Sequence, residues 1–144
     1  MSYFDRQRNC LEPQVLLDCI LEKALIILSI GDETSIEEIA PLRKGVEIVA
    51  REYGLSLGDR ELFHRLEKFE QELKRACSTG DPLPELQEGE RIQASILEIL
   101  WSLFDLATAL EDAGERRAIL DLASYLMDFL DLEGNLKAHI RQSA

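Results

Sequence analysis

Basic residues are scarce in this chain: 16 Lys and Arg stand against 28 Asp and Glu, for a net charge of −12. Nucleic-acid binding draws its affinity from Lys and Arg clustered against phosphates, and a chain of this sign repels that polyanion. Cysteine is limited to Cys10, Cys19 and Cys77, an odd number with no C-x-x-C spacing. That argues against a disulfide framework and for thiols kept reduced. Neither His64 nor His139 can be placed beside a thiol from the sequence, so no nucleophile–base pair is legible. Glycine never clusters, so no phosphate-cradling loop is present; Gly54 and Gly58 read as helix-end punctuation. Long apolar runs are also missing. The longest apolar stretch, Val15 to Ile30, is interrupted by Asp18, Glu22 and Lys23, which is too short and too charged to cross a bilayer. The opening Met1-Ser2-Tyr3-Phe4-Asp5-Arg6 lacks the basic-then-apolar succession of a signal peptide. These absences together predict a soluble cytoplasmic protein.

What is present is helical periodicity. At 144 residues with 46% hydrophobic content, the chain is one domain's worth and holds enough core to fold without a staple. No stretch sustains the alternation of a half-buried strand. The patterning predicts an all-α, single-domain bundle of about five helices spanning residues 1–144. Residues 1–12 form an N-terminal segment, and the tail 135–144 frays.

Helix one is expected from about Pro13 to Ser29, with Pro13 in the first turn where its missing N–H costs nothing. Helix two begins near Ser35, whose spacing to Glu38 fits a capping box. Pro41 then imposes a kink or a short first piece, and Gly54 provides a left-handed C-terminal cap. Helix three runs from about Asp59 to Ser78, capped by Ser56 or Asp59. It carries one apolar stripe: Leu62, Phe63, Leu66, Phe69, Leu73, Ala76 and Cys77. Helix four starts between Glu85 and Glu90 and reaches Asp112. Helix five runs from about Glu115 to Leu132, with Gly134 as its stop. Its inner face is Ile119, Leu122, Ala123, Leu126, Met127 and Leu130.

Helices one and four stand apart. Val15, Leu16, Leu17, Ile20, Leu21, Ala24, Leu25, Ile26, Ile27 and Leu28 wrap nearly the whole circumference of helix one. In helix four, Leu97, Leu100, Trp101 and Phe104 widen the arc set by Ile92, Ile96, Ile99, Leu103, Leu106 and Leu110. Glu98, Ser102, Asp105, Ala109 and Asp112 are left as a narrow polar strip. A helix apolar most of the way round is buried on two sides. Helices one and four are therefore predicted to be the most buried, with Trp101 mostly covered. Their surplus apolar surface either completes the core or meets another molecule. The candidate contact face is Leu97, Trp101 and Phe104 with Leu17, Leu21 and Leu28.

The acidic excess is uneven. Residues 81–144 hold 13 acids and 5 bases, against 15 and 11 in residues 1–80. Glu98, Asp105, Asp112, Asp121 and Asp128 form a candidate acidic face able to steer a basic partner.

Three further patterns bear on chemistry. Glu61-x-x-His64 has the spacing of di-metal helix bundles, but it occurs once, and His64 lies opposite its helix's apolar stripe. Glu67-x-x-Glu70 and Asp128-x-x-Asp131 place carboxylates one turn apart on two helices, as Glu85-x-x-Glu88 does in a third place. This resembles the magnesium-dependent all-α nucleotide pyrophosphatases, whose carboxylates supply hard oxygen ligands. That family pairs Glu-x-x-Glu with Glu-x-x-Asp, and no Glu-x-x-Asp occurs in this sequence. Finally, Val49-Ala50-Arg51-Glu52-Tyr53-Gly54-Leu55 resembles the first half of a helix-turn-helix. Arg60 then stands where that motif needs an apolar residue, and Leu62 arrives two residues late.

The expectation is therefore an acidic helical interaction module, an adaptor, regulator or chaperone-like protein. It requires no cofactor and contacts a second protein of basic character, or itself as a homo-oligomer. The alternatives are a small divalent-metal hydrolase using Glu67, Glu70, Asp128 and Asp131, and a helix-turn-helix-like regulator.

Overall fold

The computed structural model describes residues 10–30, 34–82, 84, 85, 92 and 94–143, with residues 129–143 described by their backbone alone. Every regular element among the described residues is helical, as the periodicity requires. Contacts divide the chain into two compact units, Leu11–Ala94 and Met1–Cys10 with Ser95–Ala144.

The first unit opens with α1, Pro13–Ile30. Pro13 takes the first helical position, and the Glu12 carbonyl accepts the Leu16 N–H at 2.9 Å. Next comes α2, Thr34–Glu38, then α3, Ala40–Glu52, with a proline in its first turn. Pro41 thus ends one short helix and starts another, because a proline cannot donate to the preceding turn but fits a first turn without loss. Helix α2 begins one residue before Ser35, so Ser35 is not the residue preceding the helix.

The end of α3 is a Schellman motif. The Leu55 N–H reaches the Ala50 carbonyl at 2.8 Å and the Gly54 N–H reaches Arg51 at 3.3 Å. Gly54 holds φ at 64°, the left-handed geometry that a side chain disfavours.

A single 3-10 turn, Leu57–Asp59, leads into α4, Glu61–Thr79. Neither Ser56 nor Asp59 caps α4: the N-cap position belongs to Arg60, in extended conformation and without a side-chain cap bond. The helix ends at Gly80, φ 76°, whose N–H bonds the Ala76 carbonyl. Leu66, Phe69, Leu73 and Ala76 are buried, with Leu62, Phe63 and Cys77 half-buried beside them. Helix α1 packs against both α3 and α4, which explains its near-continuous apolar circumference.

The second unit is a helical hairpin. Its first arm, α5, is Ile96–Ala109, well inside the span from Glu85–Glu90 to Asp112 that periodicity suggested. Ser95 sets the start through a complete capping box. Its Oγ accepts the Glu98 N–H at 3.2 Å, and the Glu98 carboxylate accepts the Ser95 N–H at 3.1 Å. The sequence carries this S-x-x-E signal, but the apolar residues upstream of it mask the boundary.

The second arm, α6, is Ala113–Ser143 and packs against α5. Asp112 begins it: its carboxylate accepts the Glu115 N–H at 2.8 Å. Gly114 lies in the first turn of α6. Gly134 does not stop α6 either, since one glycine inside a helix costs about 1 kcal/mol against alanine and does not break its hydrogen-bond ladder. Ile119, Leu122, Ala123 and Leu126 are buried as expected; Met127 is exposed, and the side chain of Leu130 lies outside the described residues.

Candidate interaction face on α5

Helix geometry advances about 100° per residue, so Leu97, Trp101 and Phe104, spaced four and three apart, fall within an arc of about 60° on α5. In the structure all three are open: Leu97 is 63% exposed, Trp101 42% and Phe104 39%. The opposite arc of α5 is core, formed by Ile99, Leu100, Leu103, Leu106 and Ala107. Trp101 is therefore not mostly buried within the chain, and α5 is not covered on two sides.

Ser102 also departs from the expected pattern of this helix. Its place on the expected polar strip gives way to burial at 4% exposure. The hydroxyl is accommodated because it donates to the Glu98 carbonyl one turn back, at 2.7 Å. The core arc of α5 is consequently rotated toward Ser102, and the apolar residues on its other flank are left in solvent.

Leu17, Leu21 and Leu28, proposed from sequence as part of the same contact face, are buried at 1% exposure or less. Helix α1 spends its surplus apolar surface on α3 and α4 within its own unit, so these leucines do not line an open surface. On α6, Leu120 and Met127 are exposed and one heptad apart.

The five carboxylates of the acidic set do different work. Glu98 closes the capping box of α5, and Asp112 caps α6. Asp121 bonds Arg117 one turn earlier at 3.1 Å. Asp105 and Asp128 are exposed. Asp105 also acts on Cys10: burial pushes the Cys10 thiol pKa up, the Asp105 charge pushes it further up, and a hydrogen bond with Ser102 opposes both. None of the three cysteines forms a disulfide; Cys19 is buried and the other two are half-buried.

Of the metal-site candidates, Glu67 and Glu70 lie on α4 in the first unit. Glu70 is held in ion pairs by Arg43 and by Lys74, the latter at 3.2 Å, so its carboxylate already has two cationic partners. Glu67, one turn away, is exposed. Asp128 belongs to the other unit, and the side chain of Asp131 lies outside the described residues. Among the described residues no three His, Cys, Asp or Glu side chains gather as a metal ion requires. His64 is exposed and sets its Nε2 at 2.6 Å from the Gly58 carbonyl.

The helix-turn-helix likeness also ends at the structure. Eight residues, Tyr53 to Arg60, separate α3 from α4, where that motif uses a turn of three or four. Arg60, the residue out of place in the motif, bonds Asp18 of α1.

A cleft of about 130 Å³ opens in the first unit over Ala24, Leu42, Val46, Leu57, Phe63 and Leu66. It is smaller than the roughly 300 Å³ at which small-molecule sites begin. No described helix is long and apolar enough to cross a membrane. Set against known protein families, characterised proteins and solved structures, the chain matches none.

Proposed function

We propose that this chain is an acidic helical interaction module that engages another protein through the open face of α5. The observation that carries the reading is the exposure of Leu97, Trp101 and Phe104 on one side of a helix whose other side is core. Large apolar residues left contiguous in water mark a binding surface more often than chance would place them there, and aromatic anchors dominate the energetics of such contacts. A cytoplasmic setting accords with three cysteines that form no disulfide.

The carboxylate-metal alternative loses support from the engagement of Glu70 with Arg43 and Lys74. The DNA-binding alternative loses it from the long connection between α3 and α4.

The test compares wild type with a Leu97→Glu/Phe104→Glu double variant. Both are purified at low salt for native mass spectrometry and affinity-purified from cells. The reading expects an assembly or a defined polypeptide that accompanies wild type and is lost from the variant, at unchanged helix content. Identical composition of the two samples in both experiments would overturn it.

A further inference from the structure

The α5 face lies in acidic surroundings. Helix α5 itself carries Glu98 and Asp105 and no Lys or Arg. At about 100° per residue, these two acids border the stripe on one side: Asp105 follows Phe104 and sits one turn beyond Trp101, and Glu98 follows Leu97. Between Ser95 and Asp128, seven carboxylates face two arginines. Both arginines are engaged at the start of α6. Arg116 donates to the Leu110 carbonyl at 2.7 Å, and Arg117 bonds Asp121.

Two occupants compete for such a face, and area and charge separate them. A stable dimer covers roughly 800 Å² on each partner. The three partly exposed side chains offer only roughly a few hundred Å². Apposing two copies through this stripe would also bring Glu98 and Asp105 of one α5 against those of the other, with no cation on either helix to offset them. Like charges set against each other across an interface are a penalty that selects against that pairing. A basic amphipathic helix avoids that like-charge penalty. It lays anchors spaced three and four apart along a matching stripe, and basic residues beside its apolar face meet the acidic border. Helix α5 has 14 residues, about 21 Å of length, or four turns of such a partner.

We propose that the face formed by Leu97, Trp101 and Phe104 takes a basic amphipathic helix of another polypeptide, selected by Glu98 and Asp105. This rests on the reading of α5 as a binding face and names its occupant.

Trp101 is the sole tryptophan of the chain, so its fluorescence reports on the site directly. The full chain is titrated with a tryptophan-free Leu/Lys amphipathic helix of about 18 residues, ~27 Å long. A Leu/Glu helix of the same apolar pattern is titrated in parallel, and sedimentation of the chain alone gives its oligomeric state. The expected result is a saturable blue shift with the Leu/Lys helix, weakened as salt screens the acidic border, and none with the Leu/Glu helix. Leu97→Glu/Phe104→Glu should weaken binding at least about tenfold even though it adds negative charge. Asp105→Lys should weaken the Leu/Lys helix and admit the Leu/Glu one.

Equal binding of both helices through Trp101, or a wild-type dimer dispersed by the double variant, overturns the basic-helix occupant and leaves the binding face standing. Leu/Lys binding that the double variant retains in full is attraction to bulk charge and overturns it too. No response to either helix, from a monomer that the double variant leaves unaltered, removes both the occupant and the face.

Discussion

Arg60 grips Asp18 with two nitrogens of its guanidinium, Nε at 3.1 Å from one carboxylate oxygen and Nη2 against the other, and Nη2 also reaches the Gln14 carbonyl at 3.4 Å. The two residues are 42 apart in sequence. The pair fixes the first residue before α4 onto α1, in a helix start that has no side-chain cap of its own. Both side chains are about three-quarters covered, so the charges are shielded more than in a surface pair. Arg60→Ala is expected to lower stability by about 1–3 kcal/mol, and Arg60→Lys to recover little of it, because a lysine cannot make the two-pronged contact. Urea unfolding of Arg60→Ala, of Asp18→Asn and of the double variant Asp18→Asn/Arg60→Ala gives the coupling by a double-mutant cycle. Additive losses would show that the pair contributes nothing beyond its separate side chains.

Two glycines should respond to the same substitution with opposite sign. Gly54 sits at positive φ with open space where a Cβ would go, so Gly54→Ala costs backbone strain alone, about 1 kcal/mol. Gly134 lies inside α6, and Gly134→Ala should raise stability by up to about 1 kcal/mol. Chemical denaturation of each variant checks both. A destabilised Gly134→Ala would show that an added methyl group is not tolerated at that point of the helix.

Ser95→Ala removes one half of the box that begins α5 and should cost about 1 kcal/mol. Glu98→Gln should cost less, since a neutral amide still accepts the Ser95 N–H while losing its charge at the positive end of the helix. Thermal unfolding followed by helix signal reads both, and a neutral Ser95→Ala would place the functional start of α5 elsewhere.

The Cys10 thiol, with its pKa raised by burial and by Asp105, should alkylate more slowly than a free thiol near pH 8, because less of it is thiolate. As pH rises its rate should climb through a higher midpoint than that of a model thiol. Asp105→Asn should move that midpoint down. Peptide-resolved mass spectrometry after timed iodoacetamide treatment separates Cys10 from Cys77. An unmoved midpoint in Asp105→Asn would leave burial as the whole cause.

Millimolar Mg²⁺ or Mn²⁺ should leave the melting temperature unchanged, since Arg43 and Lys74 already occupy Glu70. A ligand that binds the folded state raises stability by mass action. A clear upward shift, abolished by Glu67→Gln, would restore the carboxylates as a metal site.

Much of this architecture follows from local chemistry and was legible in the sequence. The 3.6-residue periodicity of α4 selects Leu66, Phe69, Leu73 and Ala76 as its buried side, Pro13 and Pro41 mark first turns, and Gly54 can hold a positive φ at low cost. Each of these is a property of a residue and its near neighbours. Local signals also misplaced boundaries wherever two competed. Leu97, Ile99 and Leu100 extend an apolar pattern upstream into Ile92, yet the Ser95–Glu98 box decides where helix begins. Gly134 reads as a stop until the rest of α6 continues through it.

Which apolar side chains meet water depended on tertiary packing alone. Leu17 on α1 and Trp101 on α5 belong to helices with similarly wide apolar arcs, and both read as surplus. The first is buried because α3 and α4 both pack against α1. The second stays open because the core of α5 is turned toward Ser102, whose hydroxyl finds its acceptor inside the helix. Burial is a relation between elements distant in sequence, so periodicity determined how wide each helix's apolar arc is and only the packed structure decided which part of it stays in water.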